Sequence, residues 1–149
     1  MGKPEWSLDE LRCKSESYCV GAERCCSDMR IKLLQWGAKE SDIDAIIVHL
    51  QHHKYIDEAR YCNAFAHDKV NYQGWGKMKI KLALQEKRLP FSLIEASLEA
   101  IDENQYNHVL DKIISSKKRM LKNDTFAREK LIRFCMQRGF TYSEISEKL

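Results

Sequence analysis

The stretch MRIKL at residues 29–33 returns as MKIKL at residues 78–82, 49 residues later. A second pair shows the same relation, since GAKESDI at residues 37–43 is matched by GFTYSEI at residues 139–145, 102 residues further on. Self-similarity at a period of about fifty residues is the sequence signature of tandem structural units. The chain is therefore expected to be built from repeats.

The middle repeat is recognised by a third match, in which IEA at residues 94–96 follows IDA at residues 43–45 by 51 residues. The glycine that precedes this motif in the other two copies is absent there, and the turn KRLP at residues 87–90 takes its place. Three units of about fifty residues account for nearly the whole chain. The predicted repeats are residues 1–54, 55–102 and 103–149.

Each repeat has the pattern of three helices. Apolar residues recur three and four positions apart, as in Ile43, Ile46, Ile47 and Leu50. No stretch alternates apolar and polar residues in the manner of a strand rich in Val, Ile and Thr. The sequence predicts an all-α fold with helices near residues 8–22, 28–36, 42–53, 58–72, 77–87, 91–101, 103–122, 125–138 and 142–149.

Residues with known preferences for helix ends support these boundaries. Gly37 and Gly139 each follow an apolar segment of helical period, where a positive φ ends a helix at little cost. Pro90 is expected to end one helix and begin the next, since proline is tolerated only in a first turn. The residues predicted to cap helix N-termini are Ser27, Asp57 and Asp124.

One three-helix unit is too small to bury its own apolar stripe, so neighbouring units are expected to stack. The predicted architecture is three tandem three-helix repeats in an elongated, curved array. Its concave face would suit a protein or filament partner. A compact packing of the same helices is the alternative.

Charge is distributed unevenly along the chain, although the net charge is only +3. Residues 69–88 carry six basic residues against one acid, and residues 112–133 carry eight against two. Most of the remaining acids lie elsewhere in the sequence. This segregation predicts a basic face with an anionic partner, either nucleic acid or an acidic protein surface.

The six cysteines form no C-x-x-C pair and are interpreted as reduced, small apolar residues. Residues 1–11 hold three acids and no apolar run, so no secretion signal is expected. No apolar stretch approaches the roughly 20 residues needed to span a bilayer. The expected compartment is the cytoplasm, without membrane association.

Three blocks in this order resemble the RecX family, whose members regulate the RecA recombinase. The first is YIDEARYCNAF at residues 55–65, the second GKMKIKLAL at residues 76–84, and the third KLIRFCMQRGFTYSEI at residues 130–145. The resemblance covers residues 12–149, with Cys62 standing where alanine is usual. The structural residues of these blocks are Asp57, Arg60, Tyr61, Phe65, Gly139 and Phe140.

The resemblance implies a fold of three tandem three-helix repeats, which agrees with the period found above. It also implies a modulator that docks along the groove of the RecA–single-stranded DNA filament, and we expect this protein to be a monomer. Such a protein would inhibit recombinase ATP hydrolysis, strand exchange and co-protease activity in DNA repair. It would need no cofactor.

The basic face is the predicted partner-binding surface. Lys77 and Lys81 lie four residues apart on one helix, with Arg88 seven residues further on. The alternative is an ordinary solvated face, but the excess of basic residues over acids favours binding. The residues assigned to this face are Lys77, Lys79, Lys81, Arg88, Lys117, Lys118, Arg119, Arg133 and Arg138.

Trp75 lies between Gly74 and Gly76 and either packs at a helix junction or is an exposed docking group. Together with Tyr72 it would suit base stacking if single-stranded DNA bound here, a contact expected to be weak or indirect. The alternative function is a helical module that binds DNA itself through the basic face. Strong salt dependence would be its signature.

Catalysis and metal binding find little support in the sequence. His49, His52 and His53 have the spacing of metal ligands on a helix, but no fourth ligand follows at a recognisable distance. There is no phosphate-binding glycine loop, no H-E-x-x-H motif and no nucleophile elbow. We expect a protein without enzymatic activity, catalytic residues, cofactor or metal.

Overall fold

The structure is a computed structural model and describes residues 5–149. Over that range the fold is all-α, without strands, and the predicted fold class is confirmed. The predicted helices are all present, and their ends agree to within three residues. The helices are α1 (Leu8–Gly21), α2 (Cys26–Gln35), α3 (Glu40–His52), α4 (Glu58–Gln73), α5 (Lys77–Glu86), α6 (Phe91–Glu99), α7 (Glu103–Met120), α8 (Ala127–Gln137) and α9 (Tyr142–Ser146).

The helices gather into two compact units. Unit 1 comprises Met1–Tyr61 with Lys87–Leu89, and unit 2 comprises Cys62–Glu86 with Pro90–Leu149. This division differs from the boundaries of the three predicted repeats. Those boundaries and the curved array stay predictions.

Unit 1 is built on the packing of α1, α2 and α3 around an apolar core. Leu11 on α1 meets Leu33 from α2 and Ile43 from α3 in one cluster of buried residues. Ser15 is buried among them, and its hydroxyl donates a hydrogen bond to the Leu11 carbonyl at 2.7 Å. The remaining members of the cluster are Cys19, Met29, Ile46, Ile47, Leu50 and Ile56.

Unit 2 has α5 packed on α6 and α8 packed between α7 and α9. Tyr106 and Phe140 are its largest fully buried side chains, and their ring centroids are 5.3 Å apart. The buried aliphatic residues of unit 2 include Ile80, Leu84, Ile94, Leu110, Ile114, Leu131 and Ile145. This core fixes the ends of α4 and α8 beside the start of α5, which is where the candidate site lies.

Most of the predicted helix ends are confirmed. Gly37 and Gly139 have φ of +85° and +101° and end helices α2 and α8. Pro90 immediately precedes α6, and the Asp57 carboxylate accepts the Arg60 N–H at 3.0 Å at the start of α4. These helix ends were predictable because each residue type has one local property that favours the end of a helix, a positive φ in glycine, a fixed φ in proline or a capping oxygen in aspartate.

Two predicted caps are wrong. Ser27 lies inside α2, which begins at Cys26, and the Cys26 N–H donates to the Glu58 carboxylate at 3.4 Å. Asp124 accepts the Phe126 N–H at 2.8 Å, but α8 begins only at Ala127, so this bond stabilises the preceding turn. A tertiary contact replaces the side-chain cap in the first case.

No helix between residues 5 and 149 has the length and apolar character that a membrane crossing requires.

Candidate partner-binding surface

Lys77 and Lys81, the centre of the predicted basic face, both lie beside carboxylates of unit 2. The Lys77 ammonium donates to Glu103 at 2.6 Å, and it also lies 4.8 Å from the centroid of the Tyr106 ring. The Lys81 ammonium is 3.1 Å from the Glu95 carboxylate, an ion pair without hydrogen-bond geometry. Each lysine would have to leave an internal partner to contact an external anion.

Two lysines lie close to the indole of Trp75. The ammonium groups of Lys69 and Lys79 are 4.6 Å and 4.5 Å from its ring centroid, and Phe65 meets it edge to face at 6.2 Å. Trp75 is half-buried, and its role as a docking group stays a prediction. A cation over a ring is held by the ring's electron-rich face while retaining its charge.

A sharp turn after α4 brings these groups together. Gly74 has φ of +65°, and the Trp75 N–H donates to the Lys69 carbonyl at 2.9 Å. A residue other than glycine adopts this backbone conformation only with strain. The turn therefore places the indole back over the helix that carries Lys69.

Helix α5 begins against the end of α8. The Gly76 N–H donates to the Arg138 carbonyl at 2.7 Å, and the Met78 N–H donates to the Gly139 carbonyl at 3.1 Å. A Cβ atom on Gly76 would lie 2.3 Å from the carbonyl carbon of Gly139. The two backbone segments can approach this closely only because Gly76 and Gly139 have no side chain.

The same junction holds a second aromatic group close to two cations. The Phe134 ring has the Lys117 ammonium 4.4 Å and the Arg138 guanidinium 5.1 Å from its centroid. Arg138 also donates to the Gln73 carbonyl at 3.1 Å, which ties it to the turn before Trp75. Arg138 thus joins the Phe134 group to the Trp75 group.

We call this continuous region of unit 2 the Trp75–Phe134 surface. Among the residues that the structure describes, none of its four cations has a carboxylate within 4.0 Å. Such a surface has net positive charge that no internal acid neutralises, and it presents aromatic rings beside that charge. Its members are Lys69, Trp75, Lys79, Lys117, Phe134 and Arg138.

The sequence prediction included four of these six residues and missed Lys69 and Phe134. Phe134 on α8 and Arg138 at its C-cap are four residues apart, so their contact is one that helical spacing allows. Lys69 reaches Trp75 only because the chain turns at Gly74, and no sequence pattern specifies that contact. The spacing of four residues between Phe134 and Arg138 was the sequence signal that could have identified Phe134.

The other predicted basic residues have no contact with the aromatic rings of this surface among those described. Arg88 is exposed at φ +59° and belongs to unit 1, while Lys118, Arg119 and Arg133 are exposed on unit 2. Tyr72 is 78% exposed and meets His67 edge to face at 6.4 Å. Binding by any of these residues stays a prediction.

The residues predicted as structural do have structural contacts. The Arg60 guanidinium donates to Glu23 at 2.6 Å and to the carbonyl of Lys54 at 3.1 Å. The hydrogen bond from the Arg60 N–H lowers the pKa of Asp57. Tyr61 is 7% exposed, and this burial raises its pKa.

All six cysteines are free thiols, and Cys13 alone among them is exposed. Burial raises the pKa of Cys25 to about 11 and that of Cys26 to about 12. A thiol with so high a pKa is protonated at neutral pH and is a poor nucleophile. Cys25 is fully buried and Cys26 packs against the core of unit 1, so the pair has a place in the packing of that unit.

The histidine cluster has no metal-binding geometry. The ring centroids of His49 and His53 are 4.5 Å apart, and the His49 Nε2 atom is 3.4 Å from the Glu16 carboxylate. Within residues 5–149 no group of three or more His, Cys, Asp or Glu side chains is arranged to hold a metal ion.

Comparison with known proteins gives a consistent result. A family model described as "RecX, second three-helix domain" matches residues 57–98. A protein of Vibrio parahaemolyticus named "Regulatory protein RecX" is 32% identical over 124 residues, covering 82% of this chain and 78% of the relative. A Clostridium tetani protein of the same name is 30% identical over 145 residues, covering 93% of this chain and 66% of the relative.

Two solved structures share the fold. A crystal structure described as that of regulatory protein RecX matches 99% of this chain and 81% of its own, with a TM-score of 0.80 and 20% identity. The crystal structure of RecX from Lactobacillus salivarius matches 94% of this chain and 92% of its own, with a TM-score of 0.82 and 18% identity.

Proposed function

This chain belongs to the RecX family of regulatory proteins, and we propose from that premise that it binds the RecA recombinase filament and mainly inhibits it. The activities restrained would be ATP hydrolysis, strand exchange and co-protease function, in homologous recombination, DNA repair and the SOS response. The protein would act in the cytoplasm as a monomer, without a cofactor and without enzymatic activity of its own.

The Trp75–Phe134 surface supports filament binding independently of family membership. Lys69, Lys79, Lys117 and Arg138 are held over aromatic rings and have no carboxylate partner in the described chain. Four such charges attract an anionic partner, and no internal ion pair has to be broken when it binds. An acidic surface of a protein filament, or the phosphates within it, meets this requirement.

The remaining basic residues would contribute less to binding of the filament. Lys77 and Lys81 would exchange Glu103 and Glu95 for groups on the filament, so their net contribution is reduced by the pairs they leave. Arg88, Lys118, Arg119 and Arg133 would add long-range attraction, which depends on ionic strength.

Inhibition follows if several parts of the chain contact successive filament subunits at once. Each contact after the first is then intramolecular, and the combined affinity for the filament exceeds that for a single recombinase molecule. A protein bound across subunits would oppose the rearrangements that accompany ATP hydrolysis and strand exchange.

Direct binding of DNA is the second candidate function. The half-buried Trp75, its two lysines and the exposed Tyr72 combine aromatic rings with positive charge, as single-stranded nucleic-acid sites do. Affinity for bare DNA that falls steeply with salt and does not change when recombinase is added would favour this function.

The test of the proposed function is the DNA-stimulated ATPase of the cognate RecA, titrated with this protein at fixed salt. Inhibition well below the recombinase concentration indicates capping or disassembly of the filament. Inhibition only near equal concentrations indicates a protein that coats it. An unchanged ATPase, together with unchanged filament mobility on single-stranded DNA, would contradict the proposal.

A further inference from the structure

A pocket of about 250 Å³ opens between the end of α7 and the start of α8 in unit 2. Its deepest member is Leu131, which is 3% exposed, and its walls are mostly apolar. The lining residues are Lys118, Leu121, Ala127, Arg128, Leu131 and Leu149. We propose that this pocket binds one large apolar side chain of an acidic peptide segment.

The size of the pocket favours a single side chain. Sites for small-molecule ligands usually enclose about 300–1,000 Å³, so this volume is below that range. It is large enough for one aliphatic or aromatic side chain. Peptides commonly gain most of their binding energy from one such anchor in a desolvated pocket.

The charge around the pocket favours acidic residues beside that anchor. Lys118 and Arg128 are exposed, and neither has a carboxylate within 4.0 Å in the part of the chain described. Asp124, the acid between them in sequence, is engaged by the Lys130 ammonium at 2.7 Å and by the Phe126 N–H at 2.8 Å. Two exposed cations without a carboxylate partner in the described residues, Lys118 and Arg128, therefore line the pocket and can pair with the acids of a peptide.

The chemistry of the lining favours a peptide over nucleic acid. Bases bind single-strand sites by stacking on aromatic rings, and no lining residue of the pocket is aromatic. The pocket also differs from the Trp75–Phe134 surface, with which it shares no residue. Lys118 alone among the lining residues also has a role in the proposed function, so peptide binding can fail while inhibition of the recombinase holds.

The experiment uses a short fluorescein-labelled probe peptide with one Phe flanked on both sides by Asp and Glu. Its binding to the full chain is followed by fluorescence anisotropy. We expect saturable binding that weakens by about tenfold or more when Ser replaces the Phe. A peptide with Lys in place of the acids should not bind.

Two variants locate the site. The double variant Lys118→Glu with Arg128→Glu removes the charge complementarity, and Ala127→Phe fills the pocket from its rim. Each should weaken probe binding by about tenfold or more. If Ala127→Phe fails to fold, the exposed charge pair still provides the test. The matched control is Lys112→Glu, an exposed position on α7 outside the pocket, which should change binding less than about twofold.

Three results would overturn the proposal. Equal binding of the Phe and Ser peptides would show charge attraction without an anchor. Unchanged binding by the Lys118 and Arg128 double variant would place the peptide elsewhere. Strong binding to vesicles of phosphatidylcholine and phosphatidylserine without binding to the peptide would assign the pocket to a lipid surface.

Discussion

The free energy that a lysine contributes to binding a partner depends on whether its ammonium group is already paired with a carboxylate of the same protein. Lys77 has the Glu103 carboxylate at 2.6 Å, so moving it to a partner exchanges one ion pair for another. Lys79 has the Trp75 ring at 4.5 Å, so an incoming anion can approach its charge without displacing an acid. At the scale of the residue, the accessible charge of this protein lies on Lys79 and Lys117 more than on Lys77.

Charge reversal tests whether Lys79 and Lys117 contribute more to partner binding than Lys77 does. The double variant Lys79→Glu with Lys117→Glu should raise the concentration needed to inhibit the recombinase ATPase by about tenfold or more, because each reversal replaces attraction with repulsion. The same assay on Lys77→Glu with Lys81→Glu should show a smaller loss of inhibition.

The control is Lys112→Glu, which changes the net charge at an exposed site outside the Trp75–Phe134 surface. The free energy of unfolding, measured by thermal denaturation, should fall by less than about 1 kcal/mol for Lys112→Glu and by no more than about 2 kcal/mol for either double variant. Equal loss of inhibition in the control would mean that net charge alone matters.

The difference between Lys77 and Lys79 could not be predicted from the sequence. Both stand in one basic run, and their helical positions indicate only that they point in different directions. The carboxylate that engages Lys77 comes from Glu103, 26 residues away on another helix. A sequence pattern cannot specify such a pair before the helices are packed.

At the scale of the element, the contact between α5 and α8 organises the site. The first N–H groups of a helix and the last carbonyls of another lack partners within their own helix. Here the Gly76 and Met78 N–H groups donate to the Arg138 and Gly139 carbonyls. Opposite ends of the two helix dipoles also meet, which is favourable.

Gly76→Ala should disrupt this contact. The added Cβ would lie 2.3 Å from the backbone of Gly139, and backbone cannot yield as a flexible side chain can. We expect a loss of about 2 kcal/mol or more in the free energy of unfolding, measured by denaturant titration.

Gly21→Ala is the matched control, since its Cβ would meet only the Arg24 side chain, at 3.9 Å. Gly21→Ala should change the free energy of unfolding by less than about 1 kcal/mol. A loss in Gly76→Ala no larger than that of the control would contradict the close approach of α5 and α8.

The cap of α4 makes stability depend on pH. The Arg60 N–H bond lowers the pKa of Asp57 in the folded chain below its ordinary value. The resulting stabilisation is fully present above the ordinary carboxyl pKa of about 4, and it is lost as pH falls through the lower folded value. Asp57→Asn keeps a capping oxygen but does not titrate.

Thermal unfolding at pH 7, 5 and 3 measures this effect. The drop in Tm between pH 5 and 3 should be smaller for Asp57→Asn than for the parent chain. Glu99→Gln, at an exposed carboxylate without an ion pair in the described residues, is the control. An identical drop in all three proteins would contradict the role assigned to Asp57.

At the scale of the whole molecule, the helices were predictable and their grouping was not. Hydrophobic period, glycines and Pro90 specify where helices begin and end, and the structure agrees. The two compact units depend on contacts distant in sequence, such as the Lys87 ammonium with Asp28 at 2.9 Å, 59 residues apart. Such contacts place residues 87–89 in unit 1, whereas periodicity assigned them to the middle repeat.

The central claim is that the partner is the recombinase filament rather than DNA alone. The most direct measurement is the binding of this protein, labelled with a fluorophore, to single-stranded DNA that is either bare or coated with RecA and a nonhydrolysable ATP analogue. Both titrations are made at low and at moderate salt. We expect the affinity for the coated strand to be at least about tenfold higher than that for the bare strand at both salt concentrations. Equal or tighter binding to the bare strand would contradict it.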